Sequence, residues 1–86
     1  MASGERLAMS ERVIVAPASG KFRPADPAAE DTEGQALDAE SVIGFVDGGG
    51  QSTPVRSPFR GLLMGLLAHT GERVREGQPV AWLTTA

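Results

Sequence analysis

Apolar residues occur along this chain in short runs broken by Gly, Pro, Asp and Ser, and many runs alternate apolar with polar side chains. A period of two with β-branched residues is the pattern of strands buried on one face, and no window carries apolar residues at the spacing of an amphipathic helix. The pattern predicts strands over 12–16, 20–23, 35–37, 41–47, 52–57, 61–68, 73–74 and 79–85. Within 61–68, alternation directs Leu62, Met64, Leu66 and Ala68 to one face and Leu63, Gly65, Leu67 and, just beyond, His69 to the other. Eleven glycines and six prolines supply the punctuation, and short strands with regular turn signals predict an all-β sandwich or barrel. Pro17 and Pro58 each lack a ladder donor and are expected at strand starts or edges. Gly34 and Gly71 are expected in turns that lead into strands.

The chain repeats itself. Val15-Ala16-Pro17-Ala18-Ser19-Gly20-Lys21-Phe22 lies over Arg56-Ser57-Pro58-Phe59-Arg60-Gly61-Leu62-Leu63, and Glu33-Gly34-Gln35-Ala36-Leu37 over Thr70-Gly71-Glu72-Arg73-Val74. Ala39-Glu40-Ser41-Val42-Ile43-Gly44-Phe45-Val46 then lies over Glu76-Gly77-Gln78-Pro79-Val80-Ala81-Trp82-Leu83. Neither half holds enough apolar surface to fold alone, so the repeat predicts two interlocked halves about a pseudo-two-fold axis, sharing one core. The halves differ in length only between Gly20 and Gly34, where a Pro-rich and acidic insertion occupies 24–32.

At 86 residues the chain is near the lower size at which one core suffices, so a single domain is expected over 12–86 after a loose tail at 1–11. The absence of cysteine removes disulfides, thiolate metal sites and cysteine nucleophiles, and fits a cytoplasmic protein. Net charge -3 and a pI near 5.0 argue against a nucleic-acid role, which needs clustered Lys and Arg in excess. The longest apolar stretch, Leu62 to Ala68, is far short of the roughly 20 residues of a membrane span.

The ordered set of matches resembles the biotinyl domain of the biotin carboxyl carrier proteins of acetyl-CoA carboxylase. Ala16-Pro17-Ala18-Ser19-Gly20 and Ser57-Pro58-Phe59-Arg60-Gly61 resemble the family's Ser-Pro-Met-x-Gly and its echo in the second half, and Gly61 to Leu83 follows the family's closing pattern without a gap. The resemblance covers about Arg12 to Thr85. It implies an all-β barrel-sandwich hybrid, a flattened barrel of two antiparallel sheets, with the insertion where such carriers have a protruding thumb. It also implies a hairpin bearing Ala/Val-Met-Lys-Met, whose lysine takes biotin in amide linkage, and a carboxylase as protein partner. Here Asp47-Gly48-Gly49-Gly50-Gln51 falls on that hairpin and Gly50 stands at the acceptor lysine's place. No covalent cofactor is therefore expected, because only an ε-amine forms that amide. Gly49 and Gly50 suit a two-residue type I′ connection, which needs positive φ at both central positions. Lys21, the only lysine, matches an early strand away from the hairpin.

Other chemistry is thinly represented. Asp47 and His69 are the candidate catalytic residues: His69 is the only histidine, and Asp47 or Asp38 would have to be brought beside it. The preferred readings are a turn-forming Asp47 and a histidine at a half-exposed strand end. Gly48–Gly50 lacks the following Lys and helix of a phosphate loop. The acids Glu30, Asp31 and Glu33 show no cation-ligand spacing, so no metal is expected. Phe22, Phe45 and Trp82 are expected in the core, and Phe59 on the surface as an interface anchor.

The leading expectation is a carrier-like domain without its lysine, serving as a non-covalent binding or assembly module for a carboxylase-like or biosynthetic enzyme, or as a scaffold for a small hydrophobic ligand. A second is a small enzyme, such as a cyclase acting on a hydrophobic intermediate. It would need a concave apolar pocket, completed in so short a chain by a homo-oligomer interface. A third is a genuine acetyl-CoA carboxylase biotin carrier, modified at Lys21 as its only side-chain amine.

Overall fold

A computed structural model describes residues 10–25 and 34–85. They form eight strands: β1 (Ser10–Val15), β2 (Gly20–Pro24), β3 (Gln35–Leu37), β4 (Val42–Gly48), β5 (Gln51–Arg56), β6 (Gly61–Leu66), β7 (Arg73–Val74) and β8 (Pro79–Thr85). Every expected strand is present, although β1 starts early enough to take in Ser10 and Glu11, which the tail was expected to hold. Residues 1–9 of that tail, and all of the 24–32 insertion except Pro24 and Ala25, lie outside the described residues. Pro17 and Pro58 fall in the loops after β1 and β5. Pro54 interrupts β5, an edge strand, where a missing donor costs least.

Two antiparallel four-stranded sheets face each other, one in the order β1-β8-β6-β3 and the other β5-β4-β2-β7. Exchanging each strand for its repeat partner (β1 with β5, β2 with β6, β3 with β7, β4 with β8) converts the first order into the second. This is the pseudo-two-fold that the repeat predicts, and it extends to single residues. Gly20 packs so closely on Asp47 that a Cβ would lie 2.5 Å from its carbonyl oxygen, and the equivalent Gly61 is pressed against the carbonyl of Thr84 in the same way. Gly71 N–H donates to the Phe22 carbonyl, and its equivalent Gly34 to that of Leu63. The bulge of β8 opposite Ile14 and Val15 recurs in β4 opposite Val55 and Arg56.

The core lies between the sheets. Phe22, Ile14, Leu83, Val46, Val55, Val74 and Val80 are its largest fully buried apolar residues, and Leu63, Leu37, Ile43, Ala16, Ala68 and Ala81 complete it. Three expectations are overturned. The simple alternation over 61–68 fails because the ladder to β8 shifts register between Leu63 and Gly65. An extra residue at Met64 reverses the facing downstream, so Leu63, Leu66 and Ala68 face or flank the core while Leu62 and Leu67 are exposed. Phe59 is not a free surface anchor: it is partly buried against the core, and Arg12 lies over its ring at 5.5 Å. The Ser57 hydroxyl, wholly buried, donates to the Phe59 carbonyl at 2.7 Å and folds the loop inward.

Phe45 and Trp82, expected in the core, are instead only partly buried. They occupy equivalent positions on the outer faces of the two sheets.

Candidate functional site: the glycine hairpin and its charged root

The hairpin joining β4 to β5 is the element on which the resemblance placed an attachment residue. Gly48 pairs with Gln51, leaving Gly49 and Gly50 as a two-residue connection with φ of 60° and 79°. Both are left-handed, so the expected primed turn is formed. Nothing lies within 4 Å of a Cβ built at either residue, so the tip projects clear of the domain. Gly48 differs: a Cβ there would lie 2.9 Å from the Ser19 carbonyl, which binds the root of the hairpin to the loop before β2.

Below the tip the second sheet carries a compact charged cluster on its outer face. Lys21 of β2 stands opposite Asp47 of β4, which stands opposite Ser52 of β5, and residues paired across antiparallel strands share a face. Arg23, one alternation along β2, is opposite Phe45 and stacks on its ring at 4.5 Å. From there its guanidinium reaches Asp47 with two bonds, Nε to Oδ2 at 2.9 Å and Nη2 to Oδ1 at 3.2 Å, and also donates to Ser52 Oγ at 2.9 Å. The Ser52 hydroxyl closes the ring by donating to Asp47 Oδ1 at 2.6 Å. The hydrogen bonds from Arg23, and then that from Ser52, hold the Asp47 carboxyl below the usual carboxylate range. The same pairing raises the guanidinium. A carboxylate so occupied is a poor proton acceptor, and its chemical work is to fix the two strands that carry the tip.

Asp47 is thus held by Arg23 of β2 and Ser52 of β5. His69 lies on the loop between β6 and β7, exposed, with its backbone N–H on Glu72 Oε1 at 2.9 Å. No hydrogen bond or ion pair joins His69 to Asp47 or Asp38 among the described residues, and Asp38 is paired instead with Arg60 at 3.7 Å. Lys21 is away from the tip but not from the hairpin's root, because β2 lies beside β4. Sequence reading missed Arg23 and Ser52. Their signal was the polar alternation of β2 and β5, which acquires meaning only once register is known. Gln51 forms the last pair before the turn and is exposed. Glu30, Asp31 and Glu33 lie outside the described residues.

Depressions mark the surface of the described residues, two of them near the strands above. An open one of about 630 Å³ is lined by Ser19, Arg73, Val74, Arg75, Glu76 and Gln78, beside the hairpin's root. The other, about 40 Å³ between Leu37, Ile43, Leu63 and Leu66, is too small for more than a water molecule or so. Among the described residues, neither is the enclosed apolar pocket that a cyclase acting within one chain requires.

No family model matches the chain, and no curated protein does. Solved structures do. The urea carboxylase of Kluyveromyces lactis matches with a TM-score of 0.73 and 17% identity over 86% of this chain. A single-chain, multi-domain long-chain acyl-CoA carboxylase matches with a TM-score of 0.73 and 18% identity over 88% of it. The chain spans only 6% and 7% of those proteins' lengths. It thus has the fold of a small β domain found within large carboxylase chains, the barrel-sandwich that the resemblance implies. No helix among the described residues is long and apolar enough to cross a membrane.

Proposed function

We propose that the protein is a biotin-carrier-like domain that has lost the carrier step and serves a carboxylase-like or biosynthetic enzyme as a non-covalent binding or assembly module. The observation that carries this reading is the hairpin. It has a primed turn, an open tip and a root braced by Arg23, Asp47 and Ser52, while the tip holds Gly49 and Gly50 and no amine. The likeness to domains of two carboxylases supports the partner class. Lys21 is a poor substitute acceptor: it lies in mid-sheet between β4 and β7, where an attached arm would lie along the sheet instead of swinging from a turn.

The test is intact mass after co-expression with a biotin ligase and a lipoate ligase, both cofactors supplied, for the wild type and for Gly50→Lys. Lysine at positive φ costs about 1–3 kcal/mol, which the remaining fold has to absorb, so circular dichroism accompanies the mass. An unmodified wild type beside a modified, folded Gly50→Lys supports a hairpin that lacks only its amine. A biotin or lipoyl increment on the wild type, mapped to Lys21, overturns the proposal in favour of a genuine carrier.

A further inference from the structure

We infer that the β2–β7 edge of the second sheet, presenting Lys21, Arg73 and Arg75, is a docking surface for an acidic face of a protein partner. This rests on the reading of the domain as an assembly module and names the side that docks.

Lys21 and Arg73 stand directly opposite one another on adjacent strands, both exposed and on the same face. Like charges so placed repel, so the isolated domain is strained there and relieved by an anion laid across them. The acid next in the row cannot provide relief, because Asp47 is taken up by Arg23 and Ser52. Glu72 is committed elsewhere: its carboxylate accepts from His69 N–H at 2.9 Å and lies 3.4 Å from Gln78 Nε2. Arg75 continues the row past β7 and, with Arg73, Ser19 and Gln78, lines the open depression; Glu76 on its rim is the single acid there. Neither Lys21, Arg73 nor Arg75 is within ion-pair distance of a carboxylate among the described residues.

Charge complementarity thus selects an acidic occupant, although the whole chain carries -3. At physiological ionic strength the Debye length is about 8 Å, so remote acids are screened and contacts at the edge decide. The strip belongs to one face only. Its equivalents on the first sheet are Leu62 for Lys21 and Ala36 for Arg73, with Asp38 for Arg75.

The test is a backbone-amide NMR titration of the full chain with a synthetic Asp/Glu-rich peptide, its Asn/Gln counterpart, and a single-stranded DNA oligonucleotide of equal charge. Shifts confined to 19–21 and 72–78, given by the acidic peptide alone and weakening with salt, are expected. Arg73→Glu supplies the second arm, since it sets opposite charges across β2 and β7 and leaves stability equal or slightly raised. It should weaken peptide binding roughly tenfold, a loss that unfolding cannot explain. Equal binding of the oligonucleotide, shifts spread over the first sheet, or an unchanged Arg73→Glu affinity each overturns the inference. A wild type that binds the peptide at this edge yet is biotinylated sinks the proposed function and leaves the docking edge standing. An unmodified wild type that ignores the peptide does the reverse.

Discussion

The two sheets are nearly interchangeable inside and unlike outside. Their inner surfaces exchange under the pseudo-two-fold, with Phe22 against Leu63, Val46 against Leu83 and Val55 against Ile14. Their outer faces do not. The first sheet shows Glu11, Thr84, Leu62 and Ala36 in one row and Val13, Trp82 and Gly65 in the next. The second shows Ser52, Asp47, Lys21 and Arg73, then Pro54, Phe45 and Arg23. The bulge at Met64 adds to the contrast. Without one between β2 and β4, Arg23 stays in register with Phe45 and can reach Asp47, whereas its equivalent Met64 is displaced from the ladder. Two halves that fill one core are bound to fit each other, and solvent-facing residues carry no such constraint. Where symmetry is broken is therefore where function is to be sought.

The largest effect should come from breaking the inner equivalence. Gly20→Ala and Gly61→Ala each force a Cβ into the facing strand's carbonyl, at Asp47 and Thr84 respectively, and should cost about 2–3 kcal/mol each by urea denaturation. Similar losses sharpen the two-fold; a tolerant Gly61 would break it. Thr84 holds the place of Asp47 on the other sheet, but its hydroxyl is buried with no hydrogen-bond partner among the described residues. Thr84→Val should therefore gain roughly 1 kcal/mol in the same assay, and a loss would show that the hydroxyl is satisfied after all.

A smaller gain is expected at the turn into β4. Glu40 has φ 73°, and its equivalent before β8 is Gly77 at 87°. Glu40→Gly should gain about 0.5–1 kcal/mol in thermal melts, relief of left-handed strain exceeding the added chain entropy. No gain would mean that the contact of Arg56 with the Glu40 carbonyl already holds the turn at no strain.

Smallest is the charge of Asp47 itself, since the cluster is solvent-exposed. Its carboxyl titrates below its ordinary value, so the stabilisation is present above the normal carboxylate range near pH 3.9 and fades as pH falls below it toward the folded-state value. The stability gap between wild type and Asp47→Asn should be flat from pH 7 down to about 5 and narrow below about 4. A gap that does not narrow would assign the hairpin's bracing to shape instead of charge.

The sequence by itself determined the strands, the two-fold and the turn of the hairpin. Strand positions follow from period-two alternation between Gly and Pro, each a local property of the chain. The two-fold follows from matching segments that had to share one core, and Gly49–Gly50 dictates its own turn because only positive φ closes a two-residue connection there. Tertiary structure alone decided the rest. The bulge at Met64, which turns Leu66 inward and Leu67 outward, arises from how β6 lies on β8. The cluster joins Arg23 to Asp47 and Ser52, distant from it in the chain, through a register that composition does not encode. The facing of Lys21 and Arg73 depends likewise on β7 settling beside β2. Local preferences choose an element's type, while register and adjacency are set by non-local packing, and surface chemistry is assembled from register.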